Sequence, residues 1–163
     1  MILVDTREKP RAIRNILEYF RSNGIRYKMK KLDYGDYMID GHPEIAVDRK
    51  QTIEELAKNI GTADCKRFKR ELIRSQEAGA TLVILVEQNT YKDRGDTIKV
   101  EDISDLLRWS SKYSQVPGER VFRILAGWVA KYRFKVVFCS KRSTGRKIVE
   151  ILTEGQIEAH TSI

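Results

Sequence analysis

Two short segments hold the residue types that could manage a reaction on a phosphate: Gly35-Asp36, just ahead of the apolar run Tyr37-Met38-Ile39, and Asp48-Arg49-Lys50, closing the run Ile45-Ala46-Val47. Side chains alternate along a strand, so Asp48 and Lys50 share one face while Val47 and Arg49 point to the other. Asp40-Gly41-His42-Pro43-Glu44, between the runs, has turn composition, which makes the runs two arms of an antiparallel hairpin. Asp36 then lies across from the region of Asp48, and two carboxylates and an ammonium converge. A third acidic residue, Asp5, ends the apolar run Ile2-Leu3-Val4.

This set suits phosphodiester hydrolysis, where negative charge builds on phosphorus and on the leaving oxygen. Hard carboxylate oxygens hold Mg²⁺ without stripping all its water, and the ion acidifies a water and offsets that charge. A lysine adds a fixed positive charge that can position the attacking water or steady the phosphorane without histidine. Asp-x-Lys by itself is more often a surface ion pair. Three acidic residues at strand ends are poorly explained as a solvated face, so a shared site is expected.

The elements that must carry these residues follow from periodicity. Residues 2–4 read as a buried strand and residues 10–22 as an amphipathic helix ending at Asn23-Gly24. The lysine-rich residues 27–32 read as a strand near the sheet edge. Thr52 is expected to cap a helix to about residue 60, with Glu55 completing a capping box, and a second helix covers residues 64–78 before Gly79. Thr81-Leu82-Val83-Ile84-Leu85-Val86 is the strongest strand signal, continuous enough to be central and buried on both faces. Residues 88–97 are expected to be a mobile loop. Helices are expected over 100–113 and 118–132, a strand over 135–139 and a last helix over 144–152. The result is an α/β fold with a mixed β-sheet flanked by helices on both faces.

The chain has 163 residues, with 31 Lys and Arg against 23 Asp and Glu, a net charge of +8 that favours polyanionic partners. One domain over residues 1–155 with a flexible tail over 156–163 is expected. No run is long enough to span a bilayer, so no membrane association and a cytoplasmic location are expected. Cys65 and Cys139 lack any metal-site spacing and read as ordinary reduced thiols.

Val4-Asp5-Thr6-Arg7-Glu8, Gly35-Asp36-Tyr37 and Val47-Asp48-Arg49-Lys50 with Glu54, followed by the Arg67-Phe68 to Arg74 helix and the 82–87 strand, together resemble the nuclease domain of the XPF/Hef structure-specific endonucleases. The likeness is close over about residues 1–87 and loose beyond. It implies the restriction-endonuclease-like PD-(D/E)xK fold and Mg²⁺-dependent endonuclease activity on branched or flapped DNA, with Mn²⁺ able to substitute, in DNA repair or recombination, and a homodimer. On that resemblance Asp36, Asp48 and the Arg49 carbonyl would be the metal ligands and Lys50 the catalytic lysine. Asp5, Arg7, Arg49 and Glu54 would complete the charged site. This chain departs from the family by having Asp48 for a glutamate and Glu54 for an aspartate, and the helix-hairpin-helix domain that usually follows in the family is not expected here.

Lys66, Arg67, Lys69, Arg70 and Arg74 could track a DNA backbone, or form a solvated helix face paired with Glu71 and Glu77. Trp109, Trp128, Val121, Phe122, Leu125 and Val129 read as core that could also present a dimer face. A catalytically silent DNA-binding or dimerisation module and a Holliday-junction resolvase are the competing readings. The presence of Asp36, Asp48 and Lys50 favours the enzyme over the silent module.

Overall fold

Alternation of apolar residues in the strands decides the architecture. The computed structural model describes the backbone of residues 1–161 and the side chains of residues 1–154. Among the described residues, one mixed sheet takes the order β2 (Tyr27–Met29), β1 (Ile2–Val4), β3 (Tyr37–Ile39), β4 (His42–Lys50), β5 (Thr81–Val86) and β8 (Lys135–Phe138). β1 runs parallel to β2 and antiparallel to β3, β3 is antiparallel to β4, and β4, β5 and β8 are mutually parallel. As expected, β2 is an edge strand. β5 is internal, one place from the opposite edge.

One face of the sheet sends Ile2, Val4, Tyr37, Val47, Val83 and Leu85 against Ile16 and Phe20 of α1 (Arg14–Ser22) and Ile148 and Leu152 of α5 (Thr144–Thr161). The other sends Leu3, Met38, Ala46, Leu82, Ile84 and Val86 against α2 (Ile53–Gly61), α3 (Cys65–Glu77) and α4 (Gly118–Tyr132). Burying these side chains on both faces of one sheet supplies most of the driving force for folding. Cys65 and Cys139 are free, and no described helix is long and apolar enough to cross a membrane. The expected tail over residues 156–163 lies outside the residues described in full.

Two expectations fail for local reasons. Residues 88–97 are not a loop. β6 (Thr90–Asp93) and β7 (Asp96–Lys99) form a two-stranded hairpin whose turn residues Arg94 and Gly95 both have positive φ, the geometry that matches strand twist. Tyr91 is buried opposite Ile98, which packs on the core, and Gln88 ties the hairpin to α2 by accepting the Ile53 amide. Residues 100–113 do not form a helix either. Asp102 caps a single 3-10 turn, Ile103–Leu106, and the chain then folds back so that the Trp109 carbonyl accepts from Gly118 N–H. A Cβ on Gly118 would stand 2.0 Å from the Leu106 carbonyl oxygen, so glycine is required for this close approach. Burying Trp109 outweighs the helical spacing of the segment.

The Thr52 hydroxyl accepts the Glu55 amide as predicted, but the Glu55 carboxylate takes the amide of Gln51 rather than of Thr52. The hairpin turn is also tighter than predicted, just Asp40-Gly41, with a register shift between Tyr37 and Ile39.

Gly35 sits at φ +72°, and a Cβ there would lie 2.8 Å from Ala46 Cβ and 3.3 Å from the Val47 carbonyl oxygen. The backbone beside Asp36 therefore approaches β4 more closely than any other residue permits. Gly35→Ala is expected to lower unfolding free energy by about 1–3 kcal/mol in urea titration, with the loss centred on the β3–β4 pair in hydrogen exchange.

Candidate active site

β4 carries three consecutive charged residues into the middle of the sheet, and alternation sends them to opposite faces. Asp48 and Lys50 point toward α2 and α3, on the side of Ala46 and Ile84, and Arg49 points toward α5. Asp36 stands on the same face as Met38, and Asp5 on the same face as Leu3. Asp5, Asp36, Asp48 and Lys50 thus meet along the wall of one cleft of about 900 Å³, which Arg7, Arg67, Arg70, Glu71 and Arg74 also line.

Asp36 is fixed from three sides. Its amide donates to the Val47 carbonyl at 2.7 Å, its carbonyl accepts from Asp5 N–H at 2.8 Å, and its carboxylate Oδ2 accepts from Arg49 N–H at 2.8 Å. Asp48 is 5% exposed; its Oδ2 is ion-paired with Lys50 Nζ at 3.1 Å and accepts no other hydrogen bond. Lys50 Nζ lies 5.1 Å from the centre of the Phe68 ring. Burial works against its charge, but Asp48 and then Glu71 outweigh that and raise its pKa. Lys50 therefore stays an ammonium.

The acidic groups are less comfortable. Burial, then the charges of Asp48 and Glu8, push the Asp36 carboxyl well above its ordinary range. Glu71, on the face of α3 beside Phe68 and Leu72, is pushed up to about 7 by burial and then by Asp48, although Lys50, Arg74 and the Gly35 amide pull it back. Its Oε1 is buried with no hydrogen-bond partner. The sequence reading treated Glu71 only as a surface ion-pair partner. Its spacing from Phe68 and Leu72, three residues after one and just before the other, was the available signal that it faces inward.

The remaining sequence-predicted residues divide. Asp5 is 1% exposed and spends both oxygens on structure, Oδ1 on the Leu32 amide at 2.9 Å and Oδ2 on Arg7 Nε at 2.6 Å. It lines the cleft without offering a free carboxylate. Arg7 also donates to the Leu32 carbonyl, so the pair anchors the segment after β2. Arg49 lines the cleft as well, but its guanidinium is fully engaged. It donates two hydrogen bonds to Glu8, at 2.9 and 2.7 Å, and one to Glu87, whose other oxygen accepts from the Thr144 hydroxyl at 2.9 Å. Burial opposes the Arg49 charge, and Glu8 and then Glu87 more than restore it, so its pKa is raised. Glu54 is half-buried in the first turn of α2 and does not line the cleft; Glu55 does.

Among the five basic residues of α3, Arg67, Arg70 and Arg74 line the cleft, with Arg74 Nε donating to the Asp33 carbonyl. Lys66 and Lys69 lie outside it, Lys69 resting over the Trp128 ring. Trp109, Val121 and Leu125 are sealed in the chain's own core, so they cannot anchor a dimer face; Phe122, Trp128 and Val129 are half-buried.

The donor set fits a hard divalent cation. Asp48 Oδ2 and Glu71 Oε1 are buried oxygens with unspent lone pairs, and three carboxylates face one ammonium. No three acidic, histidine or cysteine side chains among the described residues stand close enough to hold a metal unaided. Water, main-chain carbonyl or substrate oxygens would have to complete the shell, as suits Mg²⁺.

Residues 4–151 match the ERCC4 domain. No curated protein sequence matches the chain. Among solved structures, XPF from Aeropyrum pernix is similar with a TM-score of 0.64 at 20% identity, over 95% of this chain and 64% of that one. The structure of XPF from Aeropyrum pernix in complex with DNA is similar with a TM-score of 0.65 at 20% identity, over 96% and 65%. These two share the fold, and this chain spans less than two thirds of their length.

An acid whose folded pKa is raised binds its proton more tightly folded than unfolded. The metal-free protein therefore loses stability as pH climbs from the ordinary carboxylate range toward the raised value. With EDTA at pH 7.5, Asp36→Asn is expected to melt higher than the wild type and to show a flatter dependence between pH 4 and 8, since Asn can still accept the Arg49 amide. A lower melting temperature under those conditions would contradict the electrostatic picture.

Proposed function

The chain belongs to the ERCC4 domain family, and from that membership and the cleft we propose that it is a divalent-metal-dependent, structure-specific endonuclease hydrolysing phosphodiester bonds in branched or flapped DNA. The observation that carries this reading is the convergence of Asp36, Asp48 and Lys50 on one cleft wall, with Asp48 Oδ2 buried beside the Lys50 ammonium and accepting no other hydrogen bond. The DNA complex of the Aeropyrum pernix protein, which shares the fold, supports DNA as the polyanion.

A bound Mg²⁺, or Mn²⁺ in its place, would supply an acidified water and offset charge on the phosphorane. Asp36 and Asp48 would hold it, with the Arg49 main-chain carbonyl as a third ligand. Lys50, kept charged between Asp48 and Glu71, would orient the attacking water and steady the developing negative charge. Arg67, Arg70 and Arg74 would neutralise phosphates at the cleft rim and set the register of the strand to be cut. Asp5, by holding the segment after β2 through Leu32, would shape the wall without touching substrate. We assign a homodimer as the working assembly, with junction preference set by a partner or a further domain.

The direct test is cleavage of labelled flap, fork, four-way-junction and linear duplex DNA with Mg²⁺. Asp48→Asn and Lys50→Ala are expected to keep DNA binding and cut slower by on the order of 10²–10³-fold. Equal cutting by both variants would remove the site assignment, and binding without cutting by the wild type would leave a silent DNA-binding module.

Alanine at Arg67 or Arg70 is expected to weaken binding to every DNA tested and to reduce the slope of log affinity against log salt by about one each. The same change at Lys66 or Lys69 should matter less. Light scattering at micromolar concentration tests the assembly, and a monomeric mass would remove the dimer.

A further inference from the structure

Resting on the metal-dependent reading just given, we propose that Glu71 is a third acidic group of the cation site, holding the ion through a water of its hydration shell. Three observations carry this. First, Glu71 lines the cleft with Asp36, Asp48 and Lys50, although it comes from α3 and lies outside the strand motif that identifies the others. Second, its Oε1 is buried without a hydrogen-bond partner, and it feels the charge of Asp48, a side chain more than nine-tenths buried whose Oδ2 has the Lys50 ammonium at 3.1 Å and no other donor. A lone buried carboxylate oxygen is costly to leave unmatched, and the charge of a second carboxylate makes it costlier. Third, the nearby cations do not cancel the charge: Lys50 is paired to Asp48, and Arg74 Nε is given to the Asp33 carbonyl.

The form of the interaction follows from spacing. Asp36, Asp48 and Glu71 are not arranged as a group of three that could ligate one ion directly. A small, strongly hydrated cation keeps several waters and offers their protons to carboxylates around it. The Gly35 amide faces the Glu71 carboxylate and favours its charged form, and Oε1, without a partner, is left to receive such a proton. Gly35 immediately precedes Asp36, so one turn positions a direct ligand with its side chain and an outer one with its backbone.

Mn²⁺ titration of the full chain without DNA, read by the electron paramagnetic resonance of free ion, tests this independently of cutting. Glu71→Gln keeps the shape and removes a buried charge, so it is expected to fold, checked by thermal melting, and to weaken Mn²⁺ binding roughly tenfold or more. Glu71→Asp, which keeps the charge but draws it back, should fall between the two. Water-proton relaxation of bound Mn²⁺ should count the same number of waters in wild type and Glu71→Gln; one additional water in the variant would mean direct ligation and overturn the water-held form.

Asp36→Asn and Asp48→Asn separate the two levels of inference. If both lose Mn²⁺ binding while Glu71→Gln binds like wild type, Glu71 has no part in the site and the metal-dependent reading stands. If all three bind Mn²⁺ like wild type, that reading itself fails.

Discussion

The arrangement of this protein depends on how Arg49 is neutralised. β4 is an internal strand, and a guanidinium on it with 6% of its side chain exposed would be untenable without partners. Glu8, from the segment after β1, and Glu87, at the end of β5, close on it with three hydrogen bonds. Breaking such a network by removing one member leaves an uncompensated buried charge, at a cost of about 3–5 kcal/mol. Glu87 passes the constraint to α5 through the Thr144 hydroxyl, so β1, β4, β5 and α5 are pinned at one point. With Arg49 held on that face, alternation leaves Asp48 and Lys50 nowhere to go but the cleft.

That logic also explains what the sequence made legible. Asp36, Asp48 and Lys50 could be placed because strand periodicity is rigid: two short apolar runs and a glycine-containing turn fix which side chains share a face. β5, α2, α3, α4 and β8 were equally plain, each a periodic run with clear stops. Asp5 and Arg49 were recognised as important, but their partners were not, since neither Leu32 nor Glu8 and Glu87 are near them in sequence. Roles set by contacts 27 or 41 residues distant cannot be read from spacing.

The misread stretches share one cause, tertiary packing that overrides local pattern. The β6–β7 hairpin looked like a loop because its turn is Arg94-Gly95 rather than Asn-Gly and its inward residues number only two, Tyr91 and Ile98. Residues 100–113 carry helical spacing as far as Leu107. Ser110 and Ser111 give the helix no support to continue, and Trp109 gains more by folding under α4. Glu71 was hidden differently. It sits among five basic residues on α3, where a carboxylate reads as a surface counter-charge, and only the approach of the Gly35-Asp36 turn to that helix converts it to a member of the cleft.

The two faces of β4 thus treat charge in opposite ways. On the α5 side the Arg49 network is closed and complete. On the cleft side Asp36, Asp48 and Glu71 outnumber Lys50, and the Arg49 amide holds the Asp36 carboxylate in place against its neighbours' charge. A floor of that sign repels a phosphate, while Arg67, Arg70 and Arg74 at the rim attract one. On the proposed reading, nucleic acid can be captured at the rim without cation but cannot settle at the floor until the acidic excess is offset. Substrate seating and metal binding would then be one coupled equilibrium, in which each raises the affinity of the other by the same factor.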